Sequence, residues 1–467
     1  MNRVKLKAAV KSYLSITPSS SVSKALAVSA SLAAISIASA AHATPELLFG
    51  FSPRDIALAQ SGVADIPSSD PSETSSDSHR RAPLASTASA NPAFLWMPGV
   101  RVAAGYSHGM TSLKLNGADS GVADIAGTQL AVQWGGKLGS FGMIGGGMNM
   151  HLPNRSLAKI AFAPGTEPTF VRFDPVSQRT TFDAAIALRL GWLSIGAGAS
   201  VLVSANGELD LMLGQDLSGA FAEGTADIMV PYDISPILGL AVDLGSTGLD
   251  LSLGARYRGA QAVNLEFASI AQVDVQGNPL NGTTTVAING ASGYVPTTID
   301  VAARCSPFSG LSLMTSLQYA RWSQAPASAA KMSMVVDLGL VPGQMESEFV
   351  RPGFRDTLSP RVGLELMPGW ARSDLVFRAG YAFTPSPVSD SHGFYTPVDA
   401  STHTLGAGAG YNIGTLWGVD TRIDGAVQWL LLSDRAFDKG RDSLPFAHYE
   451  ATGYIVVGSI AVQGTWQ

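Results

Sequence analysis

From Gly99 onward apolar and polar residues alternate with a period of two, the pattern of strands whose two faces meet unlike surroundings. Between Leu249 and Arg258 one face reads Leu249, Leu251, Leu253, Ala255, Tyr257, and the other Asp250, Ser252, Gly254, Arg256, Arg258. Leu375, Phe377, Ala379, Tyr381 and Phe383 oppose Asp374, Arg378 and Gly380 in the same way. Val419, Ile423, Val427 and Trp429 oppose Asp420, Arg422, Asp424 and Gln428. The polar face mixes Asp with Arg and almost lacks Lys, which suits a confined lumen where opposite charges pair across strands better than a face bathed in bulk water.

The pattern predicts fourteen such segments, roughly 99–107, 127–137, 141–152, 181–190, 193–205, 231–243, 248–260, 296–306, 310–323, 357–368, 373–384, 402–413, 419–431 and 450–466. Each is near the about 9–11 residues that a tilted strand needs to cross a bilayer. Short connections, such as Gly139-Ser140, Gly191-Trp192 and Gly414 to Trp417, alternate with long ones at 153–180, 206–230, 261–295, 324–356, 385–401 and 432–449. Short turns on one rim and long loops on the other are the rule for outer-membrane barrels. The fold class expected is all-β, a 14-stranded antiparallel transmembrane β-barrel.

Composition agrees. Charged residues make up 14%, against roughly 25% in ordinary soluble domains, and mean hydropathy is +0.19. Beyond residue 43 no apolar run is long enough for a membrane helix, so the apolar residues are dispersed, as strands disperse them. The net charge of -6 and the lack of a basic stripe argue against nucleic acid as a partner. At the N-terminus, Lys5, Lys7, Lys11 and Lys24 precede an alanine-rich apolar stretch, and Ala41-His42-Ala43 supplies a cleavage site. Residues 1–43 read as a signal peptide. Export and a barrel together place the chain in the outer membrane of a Gram-negative bacterium. The final strand runs Tyr454, Val456, Gly458, Ile460, Val462, Gly464, Trp466 on one face, an ending suited to barrel-assembly machinery, although Gln467 follows the aromatic.

Residues 44–95 lack strand alternation. Arg54 to Ala59 reads as a short helix, and the Ser-rich polar insert 68–89 as a loop. A fourteen-stranded wall encloses more space than its own side chains fill, since about eight strands already suffice for a filled interior. The segment 44–95 is the part of the exported chain left to occupy the remainder.

Arg54-Asp55-Ile56-Ala57-Leu58-Ala59 followed by Asn91-Pro92-Ala93, the run Ser235 to Leu240 leading to Leu253 to Arg258, Gln318 to Ser323, and Phe377 to Val388 occur in one order along the chain. In these motifs the sequence resembles the FadL/TodX family of outer-membrane transporters for long-chain fatty acids and other hydrophobic compounds. The resemblance implies an N-terminal plug (hatch) inside the lumen, 44–95, latched by Asn91, Pro92 and Ala93, within a barrel of residues 96–467. It also implies a long-chain fatty acid or other hydrophobic ligand, and its sideways release into outer-membrane lipid through a gap in the third strand. Gly145, Gly146 and Gly147 stand in that strand. They either weaken its pairing and permit an opening or relieve crowding against the plug.

Candidate chemistry is sparse. The seven histidines show no metal-ligand spacing; His403 is expected to face inward, without an evident partner serine. Cys305 is the single cysteine, so no disulfide forms within the chain. No enzyme activity, cofactor or metal is expected. Inward Arg256, Arg361 and Arg378, with Arg189, Arg258 and Arg422, either hold a ligand carboxylate or line the lumen as paired charges. A monomeric uptake channel is the reading adopted, and a structural or adhesin-like barrel without transport is the alternative.

Overall fold

The computed structural model describes residues 48–65, 87–154, 168–173, 180–203, 207–215, 221–228, 232–245, 250–273, 282–308, 310–326, 331–337, 343–348, 353–368, 374–389, 396–440, 442 and 446–466. Residues 1–43, read from sequence as a signal peptide, and most of the polar insert lie outside them.

Fourteen long strands form the wall. They are β1 Gly99–Leu115, β2 Ile125–Leu138, β3 Gly142–Pro153, β4 Thr180–Leu190 and β5 Leu193–Val203. Next come β6 Asp233–Asp243, β7 Ser252–Arg258, β8 Thr297–Phe308, β9 Leu311–Arg321 and β10 Thr357–Leu366. Then follow β11 Leu375–Thr384, β12 Thr402–Leu416, β13 Val419–Asp438 and β14 His448–Trp466. Each pairs antiparallel with its sequence neighbour, and β1 also pairs with β14, Val100 opposite Trp466, which closes the sheet. Closure leaves no sheet edge with unpaired backbone, as a lipid-facing wall requires. No described helix is long and apolar enough to cross a membrane. The chain is a transmembrane β-barrel.

The alternation read from the sequence is the alternation of burial. In β7, Ser252 is 3% exposed and Leu253 42%. Outward Trp134, Phe141, Trp192, Phe308 and Trp417 lie at the short-turn rim, and Tyr232, Tyr381 and Tyr454 toward the other. Such aromatic girdles mark the two levels where lipid meets water.

Two expectations need correction. His403 faces out, because it stands opposite Phe383 of β11 and meets the exposed Tyr381 hydroxyl at 2.9 Å from its Nδ1. The connections 261–295 and 324–356 are not plain loops. They carry Gln261–Val273, Gly282–Val295, Lys331–Asp337 and Gly343–Glu348, which form a separate four-stranded antiparallel sheet. Two of these strands, of seven and six residues, are shorter than a membrane-crossing strand needs.

If lipid covers the outer face, Val362→Arg in the middle of β10 should cost roughly 2–4 kcal/mol and Phe308→Arg at a strand end roughly 0–1 kcal/mol. Denaturant titration of both variants in lipid vesicles measures the difference. Equal costs would contradict the membrane placement.

Candidate functional site

The N-terminal segment enters the lumen and turns back within it. Helix α1, Pro53–Ala57, starts at Ser52, whose side chain accepts from the Asp55 N–H while the Asp55 carboxylate accepts from the Ser52 N–H. This reciprocal cap satisfies donors that a buried helix start would leave orphaned. Ala59 and Gln60 then take left-handed φ values of 47° and 60°, reversing the chain. A second helical turn, α2 Thr87–Ala90, leads to Asn91; the polar stretch read as loop to residue 89 therefore ends in helix.

Asn91 is fully buried. Its Oδ1 accepts from the Ala93 N–H at 3.0 Å, capping a 3-10 turn over Pro92–Phe94. Its Nδ2 donates to Val63 O at 2.8 Å, tying the two halves of the segment together, and to Leu240 O of β6 at 3.3 Å. Pro92, at the first position of the turn, brings no N–H that would need a partner. Asn91, Pro92 and Ala93 thus stand together against β5 and β6.

The wall receives this segment by removing its own side chains. A Cβ at Gly254 would run into Val63 O, one at Gly380 into the Leu58 backbone, and one at Gly406 into the Ile56 and Ala57 carbonyls. Gly196, Gly239 and Gly363 do the same for Pro92, Asn91 and Ser61. Glycines on the inner face, spread around the ring, let backbone lie on backbone. Polar side chains fasten what the glycines admit. Gln428 Nε2 donates to Ile56 O at 3.1 Å, Ser252 Oγ to Ala64 O at 2.6 Å, and Asn149 Nδ2 to Ser89 Oγ at 3.1 Å.

The glycine run of β3 belongs to this seat. Cβ atoms at Gly145 and Gly147 would meet Leu95, whereas one at Gly146 would point outward, 3.0 Å from the Trp134 ring. Pairing of β3 with β2 and with β4 runs through the glycines without a register shift, so the wall is closed here.

The inward arginines join an ionic chain. Arg54 of α1 pairs with Asp65 and, at 3.1 Å, with Glu365 of β10. Glu365 also takes Arg378 at 2.7 Å, Arg378 reaches Asp424 at 2.7 Å, and Asp424 holds Arg422 at 2.8 Å. Arg256 grips Asp300 at 2.9 Å and donates to Ser89 O at 2.8 Å, so it fastens the segment. Arg361 is placed differently. It meets Gln318 Oε1 at 2.7 Å, but its carboxylate contact, Asp300 at 3.4 Å, is shared with Arg256.

Arg361 also lines a cavity of about 60 Å³ on the long-loop side of the segment. Leu48, Ala59 and Gln60 form its floor, Trp322 and Leu430 part of its wall, and Arg172 and Phe173 stand over it. Above the ionic chain the lumen turns apolar, with Phe49, Leu113, Phe170, Trp322, Phe354 and Leu432 in one cluster. Trp322 stacks edge-on against Tyr294 and Phe354, ring centres 6.2 and 6.3 Å away. The lining is mixed, with Phe173, Trp322 and Leu430 beside Arg361, Gln318, Ser359 and several Thr, so apolar and polar groups converge on one space. Among the described residues no cluster of His, Cys, Asp or Glu is arranged to hold a metal.

Residues 168–173 were not singled out from sequence. Thr169–Phe170 pairs in parallel with Pro397–Val398, and the Arg172 guanidinium meets Asp399 at 2.9 Å. Burial pushes the Asp399 carboxyl up from its ordinary value, against the pull of Arg172. Six residues without periodicity gave no signal of such a contact.

No protein-family model matches the chain. It is 24% identical over 259 residues to Alkane uptake protein A of Marinobacter nauticus, covering 53% of this chain and 54% of that protein, about half of its length. Among solved structures, a FadL homologue of Pseudomonas aeruginosa is 12% identical with a TM-score of 0.53, over 89% of this chain and 98% of that one. The toluene transporter TodX of P. putida is 15% identical with a TM-score of 0.52, over 90% and 99%. The monoaromatic hydrocarbon channel CymD is 15% identical with a TM-score of 0.51, over 90% and 98%.

The seat predicts its own failure mode. Gly380→Val should displace the segment at Leu58 while leaving the wall paired, because a β-branched residue suits a strand. Steady ion conductance in planar bilayers should appear in the variant and not in the native protein. Unchanged conductance would show that the segment tolerates the intrusion and that close backbone approach is not what seats it. Arg54→Met, which leaves Glu365 with Arg378 and Asp65 with Arg304 as their remaining ion-pair partners, should cost about 3 kcal/mol in unfolding titrations, the low end for a broken buried pair.

A closed wall of fourteen strands with its N-terminal segment folded into the lumen gives this chain the fold of the FadL/TodX-type channels.

Proposed function

We propose that the protein is an outer-membrane channel for the uptake of hydrophobic small molecules, long-chain fatty acids or similar compounds, with residues 44–95 as its plug. One observation carries this reading: a cavity bordered by the apolar cluster of the upper lumen sits inside a barrel occupied below by a segment seated on glycines. A purely structural or adhesin-like barrel would have no use for such a seat. The names of the matched proteins, an alkane uptake protein and hydrocarbon channels, support an apolar cargo. The signal peptide would deliver the chain to the barrel-assembly machinery, and it would work as a monomer.

Of the three candidate arginines, Arg361 suits a ligand carboxylate best. Arg378 already has two carboxylates and Arg256 is engaged with Asp300 and the plug, whereas Arg361 opens on the cavity with a shared and longer contact. A fatty acid would place its head near Arg361 and Gln318 and its tail toward Trp322 and Leu430. Uptake of labelled palmitate and hexadecane by cells lacking their own fatty-acid channel tests this. Arg361→Met should lower palmitate uptake by about tenfold, the order of one lost charge-assisted hydrogen bond, and spare hexadecane. Failure of the native protein to carry either compound would overturn the function.

Release would be sideways, because an apolar molecule gains nothing from a polar path past the plug. The β2–β3–β4 wall, closed in this structure, would have to part at Gly145 to Gly147. Gly146→Val faces outward and leaves the plug seat alone, so it should slow palmitate uptake without raising conductance. Normal uptake would leave the glycines only their packing role.

A further inference from the structure

The wall is held by strands of seven to twenty residues. Residues 168–173, in contrast, cross the mouth with a two-residue pairing. This strap leaves the connection between β3 and β4 and docks on the connection between β11 and β12, on the far side of the fourteen-strand ring. Among the described residues its backbone pairing is short and its polar contacts are specific. The Val171 N–H donates to Val398 O at 2.8 Å. Arg172 pairs with Asp399 at 2.9 Å and donates to Ala400 O at 2.5 Å. On the far side the dock is itself braced: Ser386 Oγ donates to Asp399 at 3.1 Å, and Arg435 donates to Ser386 Oγ at 2.9 Å and to Asp399 O at 3.2 Å. Phe170, Val171 and Phe173 are each at most 2% exposed, so the strap is inserted in the mouth and not laid over it.

Its inner side, Arg172 and Phe173, is the roof of the cavity whose floor is the plug. We propose that the strap 168–173 is an extracellular gate, which must leave the Pro397–Ala400 dock before an apolar ligand can reach the cavity. The proposal rests on reading that cavity as the ligand site. The physical case is the disparity in backbone pairing, two residues against seven to twenty. Short, sparsely paired segments open at a small fraction of the free energy that opens a long ladder, so the strap can detach while the wall and the plug stay in place. Arg172 and Asp399 make detachment all-or-none, since a partly withdrawn strap would leave two buried charges facing apolar side chains without each other. Plug and strap then close opposite ends of one chamber.

Thr169 and Pro397 are register partners, which puts their Cα atoms within reach of a disulfide. Thr169→Cys with Pro397→Cys, in a Cys305→Ala background, locks the strap under oxidant. Hexadecane uptake should be lost in the oxidised protein and restored by reductant; a complete cross-link with undiminished uptake would overturn the gate. A second measurement does not depend on transport. Ser359→Cys places a thiol in the cavity, and its labelling by an impermeant maleimide on whole cells should rise by about tenfold or more when Arg172→Met loosens the strap. Unchanged labelling would likewise overturn it. If the native protein takes up neither hexadecane nor palmitate, the transport reading falls, and the labelling alone decides the strap.

Discussion

Close contact between the backbone of the N-terminal segment and the inner wall is the constraint on which the rest of this structure depends. Fourteen strands make a ring too wide for its own side chains to fill. The filling comes from residues 48–65 and 87–97, and they fit because the inner face carries glycine at the points of contact. Gly254, Gly380 and Gly406 alone bring three strands against the Ile56 to Ala64 backbone. Glycine is costly within strands, and hydrogen bonds such as Gln428 to Ile56 O and Ser252 to Ala64 O offset part of that cost.

Placing backbone on backbone also fixes where charge must go. Arg54 and Asp65 enter the lumen with the segment and are met by Glu365 and Arg304 of the wall. A buried charge without its partner is strongly destabilising, so these pairs specify one orientation of the segment. The ionic chain lies on the short-turn side, and the apolar cluster around Trp322 and Leu430 lies on the long-loop side. This division places the cavity above the segment, with Trp322 and Leu430 in its lining beside Arg361, whose carboxylate contact is shared.

Much of the fold was legible in the sequence because the period-two pattern answers directly to lipid outside and lumen inside. The fourteen segments, their facing at Leu253 and Ser252, and the alternation of turn and loop all follow from it. The candidate site was legible only in part. Asn91-Pro92-Ala93 could be singled out, but its contacts with Val63 and Leu240 depend on a chain reversal at Ala59 and Gln60 that no pattern announces. Gly145 to Gly147 read equally as an opening or as a seat, because a missing side chain looks the same for either purpose. The strap at 168–173 was invisible, since its partner lies more than two hundred residues away and their pairing is two residues long.

Whether the segment closes the barrel can be measured directly by deleting residues 50–93 with the signal peptide kept and recording planar-bilayer currents. The deleted protein should insert and conduct ions steadily, and the full-length protein should conduct little. Equal conductance from the two would contradict the account, because the lumen would then be open, or closed, regardless of the segment seated on its glycines.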